Sequence, residues 1–224
     1  MKKALPFILA AIALFSSSCR KDISAFGGRN PGSPDTSKGY LPITKGSYWK
    51  IVSDIVGSAK DTALQTVTGR IVTINGKPYH EVSTESILYG RQTSYLYVGE
   101  HKYLSRSTSL REGVTAELVY LVDTAAVGDT WETSLTDDGL VNGFPAKLVG
   151  KLIEQDIKKT VAGITYNNVV HTTLDIQYNV NGTGFTSYGT YDVYLAKGVG
   201  VIQTDSKLNG VATGSSKVIS YSAW

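Results

Sequence analysis

Cysteine is scarce in this chain: Cys19 is the only one among 224 residues. A lone thiol has no partner for an internal disulfide and cannot build a cysteine-based zinc site. Histidine is nearly as rare. His80, His101 and His171 stand far apart, with no H-x-H or H-E-x-x-H spacing, so no metal centre is expected. The G-x-S-x-G of hydrolases is missing. The run Ser47-Tyr48-Trp49-Lys50 matches S-x-x-K formally, but the companion S-D-N and K-T-G motifs are absent. On a strand, residues three apart also face opposite ways. The Gly-rich stretches "NGTGFTSYG" and "AKGVGVIQT" open no helix that would hold a phosphate. Asp137, Asp138 and Gly139 form ordinary turn chemistry without calcium-loop spacing. These absences point away from an enzyme and from any cofactor.

Charge of one sign is lacking as well. The chain holds 22 basic and 19 acidic residues, and without Lys2 and Lys3 the balance is 20 to 19. Nothing in it suggests nucleic acid. After the first 15 residues no apolar run approaches the roughly 20 residues of a membrane-spanning helix. No window of 12 or more residues carries convincing helical periodicity. "TAELVYLVDTAA" comes closest and reads equally well as a strand.

The start of the chain is where cysteine finds its use. "MKKALPFILAAIALFSSSC" sets two lysines before the apolar run Leu5–Phe15, followed by Ser16, Ser17 and Ser18. That order is a secretory signal peptide, residues 1–18. Small residues directly before Cys19 resemble the lipobox of bacterial lipoproteins, in the looser form found in Bacteroidetes, with Ser16 where leucine is commonest. The resemblance implies cleavage before Cys19, acylation of that residue, and a lipid-anchored place in the cell envelope. The outer membrane, facing either the periplasm or the cell surface, is the expected site. Several acyl chains, at about 0.8 kcal/mol per buried CH₂, anchor stably where one would not. Residues 19–39, "CRKDISAFGGRNPGSPDTSKG", carry four Gly and two Pro and little to bury. They read as a flexible tether spanning about 25 Å on average.

From residue 40 to 224 the composition favours strands. Thr, Val and Ile are abundant, all 14 tyrosines lie here, and many of the 23 glycines punctuate short runs. In "ITYNNVVHTTLDIQY" one parity holds Tyr166, Val170, Leu174, Ile176 and Tyr178. The other holds Asn167, His171, Thr173 and Asp175, so the segment reads as a strand with one buried and one wet face. Asn75-Gly76 and Asn181-Gly182 are hairpin signals. The expected fold is all-β and antiparallel: a curved sheet, an incomplete barrel or a sandwich. An internal repeat of about 44–106 and 126–205 is expected to divide it into related halves. Gly46 and Trp49 match Gly128 and Trp131, both 82 residues on, Gly69 matches Gly150, and Gly76 and Tyr79 match Gly163 and Tyr166. Two copies are too few for a solenoid and suit two halves of one sheet system.

"VGDTW" (Val127–Trp131) and "YLAKGVGVI" (Tyr194–Ile202) resemble segments of uncharacterised secreted lipoproteins of the Bacteroidetes type. That resemblance implies an extracytoplasmic β fold and no activity. What remains for function is tyrosine, which offers broad amphipathic contact at small entropic cost. The rings are expected first of all to fill the sheet and its edges. A ligand site, if one exists, is expected to use Tyr95, Tyr97, Tyr103, Tyr191 and Tyr194. The function read here is a non-catalytic binding module for a small apolar, peptide or glycan ligand. The alternative is a structural or accessory lipoprotein that docks on another envelope protein.

Overall fold

The structure, a computed structural model, describes residues 39–109 and 113–223. Thirteen strands follow one another with no helix among the described residues: β1 (Tyr48–Ile55), β2 (Asp61–Ile74), β3 (Lys77–Ser86), β4 (Gly90–Gly99), β5 (Lys102–Thr108), β6 (Thr115–Val122), β7 (Thr130–Ser134), β8 (Leu140–Val141), β9 (Phe144–Val161), β10 (Ile164–Tyr178), β11 (Thr186–Ala196), β12 (Gly200–Leu208) and β13 (Val211–Ser222). Turn chemistry sets their lengths. Asn75 and Gly76 both take positive φ, 50° and 78°, between the paired residues Ile74 and Lys77. This is the two-residue turn whose twist matches the flanking strands. Ala162-Gly163 and Asn209-Gly210 repeat it at φ 48° and 82°, and 48° and 80°. Asn181-Gly182 behaves differently from the sequence expectation. It lies inside a longer loop between Tyr178 and Thr186 rather than closing a tight hairpin.

All neighbours pair antiparallel, in the order β6-β5-β4-β3-β2-β1-β13-β12-β11-β10-β9-β7, with β8 on the start of β9. This order is two meanders of six strands, joined where β1 pairs with β13 from Tyr48↔Ser222 to Ile55↔Gly214. The remaining ends, β6 and β7, return to each other without a ladder. Among the described residues two bonds cross here: the amide of Glu117 donates to Leu135 O, one residue past β7, at 2.8 Å, and the indole N–H of Trp131 donates to Val119 O at 3.2 Å. The fold is therefore the expected antiparallel all-β one, in the form of a nearly closed barrel with one unsealed seam.

The two Gly-x-x-Trp segments make the same local bonds. Gly46 N–H donates to Val67 O at 2.9 Å and Gly128 N–H to Leu152 O at 2.8 Å. Ser47 N–H donates to Thr44 O, and Asp129 N–H to Ala126 O. Val67 N–H returns to Ser47 O, and Leu152 N–H to Asp129 O. Both glycines sit at positive φ, 88° and 98°, where a side chain would be strained. Each tryptophan is then the second residue of its strand, and each indole donates to a backbone carbonyl, that of Trp49 to Val199 O at 2.6 Å.

Two apolar clusters form the core, and each draws on both meanders. One gathers Tyr79, Tyr97, Leu104 and Val119 with Leu148, Leu174 and Leu195. The other gathers Trp49, Val67 and Val82 with Tyr166, Val169 and Ile202. The two meanders are thus held together by shared burial as well as by the β1–β13 ladder.

Candidate functional site

The seam carries a polar cluster. Cross-strand pairing builds one row, Glu81–Tyr95–Arg106–Glu117, across β3, β4, β5 and β6. A second row, Tyr97–Leu104–Val119, runs beside it and is apolar. Arg106 is 8% exposed, an unusual depth for a guanidinium. It is held by a two-toothed bond to Asp137, with Nη1 donating to Oδ1 at 2.8 Å and Nη2 to Oδ2 at 2.5 Å, while Glu117 stands 3.9 Å away. The Asn75 amide donates to the same Asp137 at 3.1 Å, so the β2–β3 turn reaches across to the segment after β7. The Tyr79 hydroxyl donates to Glu117.

These contacts shift the Tyr79 phenol and the Asp137 carboxyl in opposite directions. Burial, and then donation to Glu117, push the Tyr79 phenol well above its ordinary value, so it stays a donor across the physiological range. The Arg106 bond holds Asp137 below the usual carboxylate range. Its charge is therefore kept until the pH falls beneath that lowered value.

Beside the cluster lies a cavity of about 360 Å³, lined among others by Asn75, Lys77, Tyr79, Lys102, Glu117 and Thr133. The Thr133 hydroxyl is buried there without a hydrogen-bond partner. The Lys77 ammonium stands 5.4 Å from the centre of the Tyr97 ring. At the other end of β7 a more open hollow of about 500 Å³ is bordered by Val122, Gly128, Asp129 and Trp131. Trp131 lies between the two, because its indole is what spans the seam. The lining offers phenol, amide, ammonium, hydroxyl and carboxylate groups over an aromatic floor. It is equipped to hold a polar molecule of a few rings or residues.

The tyrosines singled out from the sequence separate. Tyr95 and Tyr97 flank the seam cluster. Tyr95 stands between Glu81 and Arg106, and Tyr97 packs on Tyr79 with ring centres 5.5 Å apart and is itself 5% exposed. Tyr103, 8% exposed, belongs to the core. It meets Tyr40 edge-on, and burial together with Asp123, to which its hydroxyl donates, pushes it up to about 12. Tyr191 pairs with Leu174, half-buried against the first cluster. Tyr194 stacks on His171 with ring centres 4.2 Å apart, and the Lys159 ammonium lies 3.5 Å from its centre. His171 lies on the outward face of β10, as its parity requires, and is shielded there by its neighbours. Its ring nitrogens lie 3.2 Å from Glu154 and 3.1 Å from Asp192, and its side chain is 12% exposed. Burial raises Asp192, but the bonds from His171 and Lys207 outweigh it and leave the carboxyl lowered. Cys19 lies outside the described residues.

Arg106 and Glu117 had no marking in the sequence, and Tyr79 was marked only as a landmark of the repeat. Asp137 sat in a stretch that reads as a plain turn, and its partner is 31 residues away. The Tyr79–Glu117 pair is 38 residues apart.

No family model matches the chain, and no curated protein does. Two solved structures share its fold. One is described as a putative lipoprotein from Parabacteroides distasonis, with a TM-score of 0.51 at 10% identity, covering 82% of this chain and 98% of that one. The other is described as a putative exported protein with a YmcC-like fold from Bacteroides fragilis, with a TM-score of 0.50 at 7% identity, covering 82% of this chain and 99% of that one. At these identities the likeness is one of fold.

Proposed function

We propose that this protein is a cell-envelope lipoprotein whose β domain is a non-catalytic binding module, with its ligand seated at the seam. Three things support the envelope reading: the signal sequence, the small residues before Cys19, and a fold shared with one protein described as a lipoprotein and another described as exported. In this reading the mature chain begins at an acylated Cys19 and residues 19–39 tether the domain to the membrane.

The seam cavity carries the binding reading. Its hydrogen-bonding lining beside the Tyr79–Tyr97 pair suits a glycan better than an apolar ligand. Four of the polar groups at or beside the cavity are engaged with one another: Tyr79 with Glu117 and Arg106 with Asp137. In this reading they form a rigid wall and carry no chemistry.

Thermal-shift and calorimetric titration with neutral and acidic oligosaccharides and with peptides tests the reading. A saccharide should raise the melting temperature of the wild type. Lys102→Gln combined with Thr133→Val should leave the fold intact and weaken binding about tenfold or more, which is about 1.4 kcal/mol. As a control, Tyr97→Ala should cost several kcal/mol of stability with or without ligand. A wild type that binds no saccharide, or a double variant that binds one unchanged, removes the seam as the site.

A further inference from the structure

The apolar side chains that the fold leaves in solvent are not scattered. Of the 14 large apolar residues exposed among those described, 12 lie in the turns at one end of the sheet or in the strand residues bordering them. The exceptions are Ile71 and Val127. The β1–β2 turn presents Val56, 75% exposed, and the β3–β4 turn presents Ile87 at 61% and Tyr89 at 49%. The β10–β11 loop presents Val180 and Phe185, and the β12–β13 turn presents Val211 at 68%. Phe144 adds the start of β9. Pairing places these turns side by side: Ala63↔Ser86 joins the first two, Ile55↔Gly214 the first and fourth, and Gly189↔Leu208 the last two. The opposite end, with the β4–β5 and β11–β12 turns, is where Gly39 enters, its carbonyl accepting from Gly198 N–H at 2.7 Å.

We propose that this apolar rim seats in the interface of a lipid bilayer. The tips are separate, one to three side chains per turn with polar backbone between them. A fluid interface accepts such a surface, whereas a protein partner needs a continuous complementary face. Ion pairs near the tips are made in place, Lys60 with Asp54 at 3.0 Å and Arg91 with Glu85 at 2.6 Å. They offer little unpaired charge for a protein partner to match. The chain outside the described residues also permits the pose. Cys19 lies 20 residues before Gly39, an extended reach of about 70 Å. β9, the longest strand, has 18 residues and is at most about 60 Å long. An anchor at Cys19 therefore allows either end of the domain to meet the same membrane. The rim does not depend on that anchor, and its test reads position directly.

In the full chain with Trp131 and Trp224 replaced by Phe, Tyr89→Trp places a fluorescent reporter on the rim, while Trp49, bonded to Val199 O, marks the other end. The chain is bound to phosphatidylethanolamine–phosphatidylglycerol vesicles carrying brominated acyl chains. A ring seated 5–10 Å into the boundary should lose about half or more of its emission, and the parent chain much less. Adding Val56→Ser, Ile87→Ser and Val211→Ser should abolish the extra quenching while circular dichroism stays unchanged. The same extra quenching is expected with Cys19→Ser. Three outcomes overturn the proposal: no extra quenching at position 89, stronger quenching of the parent than of the reporter, or a rim protected instead by a second copy and seen as a dimer in sedimentation without lipid.

Discussion

Tyr79 and Tyr166 occupy matching places in their hairpins, three residues after Gly76 and Gly163, and each is 2% exposed. Their hydroxyls differ. That of Tyr79 donates to Glu117, whereas that of Tyr166 is buried with no partner. Losing a satisfied bond strands the carboxylate left behind; losing an unsatisfied hydroxyl removes a desolvation penalty. Tyr79→Phe should therefore cost about 1–2 kcal/mol in urea unfolding, and Tyr166→Phe should be neutral or stabilising. Equal losses in both would contradict the assignment. This difference could not be read from the sequence. The two Gly-x-x-Tyr segments look alike there, and the partner that distinguishes them comes from β6, 38 residues on. The same holds for Arg106 and Asp137, since charge pairing across strands leaves no local spacing.

At the scale of elements, Trp131 is the piece that spans the seam, and Gly150 is what lets it lie there. A β-carbon on Gly150 would fall 2.1 Å from the indole, too close for any side chain. Gly150→Ala should displace Trp131, break its bond to Val119 O and cost about 1–3 kcal/mol by overpacking. A double-mutant cycle with Trp131→Ala should recover most of that loss; independent, additive effects would refute the contact. Strands were well legible in the sequence, because alternating burial and Asn-Gly turns are local signals: Tyr166, Val170 and Leu174 are all buried as their parity requires. Val169 was not, since the chain bulges where Asn168 takes φ 51° and turns an extra residue inward. The seam was not legible either. Whether β6 and β7 zip or only touch is decided by curvature accumulated over the whole sheet.

For the whole molecule, the ladder between β1 and β13 is the closure that counts, and Trp49↔Tyr221 sits in it. With Trp131 and Trp224 replaced by Phe, Trp49 fluorescence should report the slowest refolding phase, in the millisecond-to-second range typical of non-local β pairing. Trp49 burial completed together with the earliest far-ultraviolet signal would disprove this order. The topology also bears on the export proposed above. Among the described strands the first to emerge from a translocation channel has one of its two neighbours in the last, so this sheet cannot be completed until Ser222 has arrived. In that reading β1 presents an unpaired edge until then. In that reading the chain suits a secretion route that keeps it unfolded until then, and its window of vulnerability is the interval between the release of Tyr48 and the arrival of Ser222.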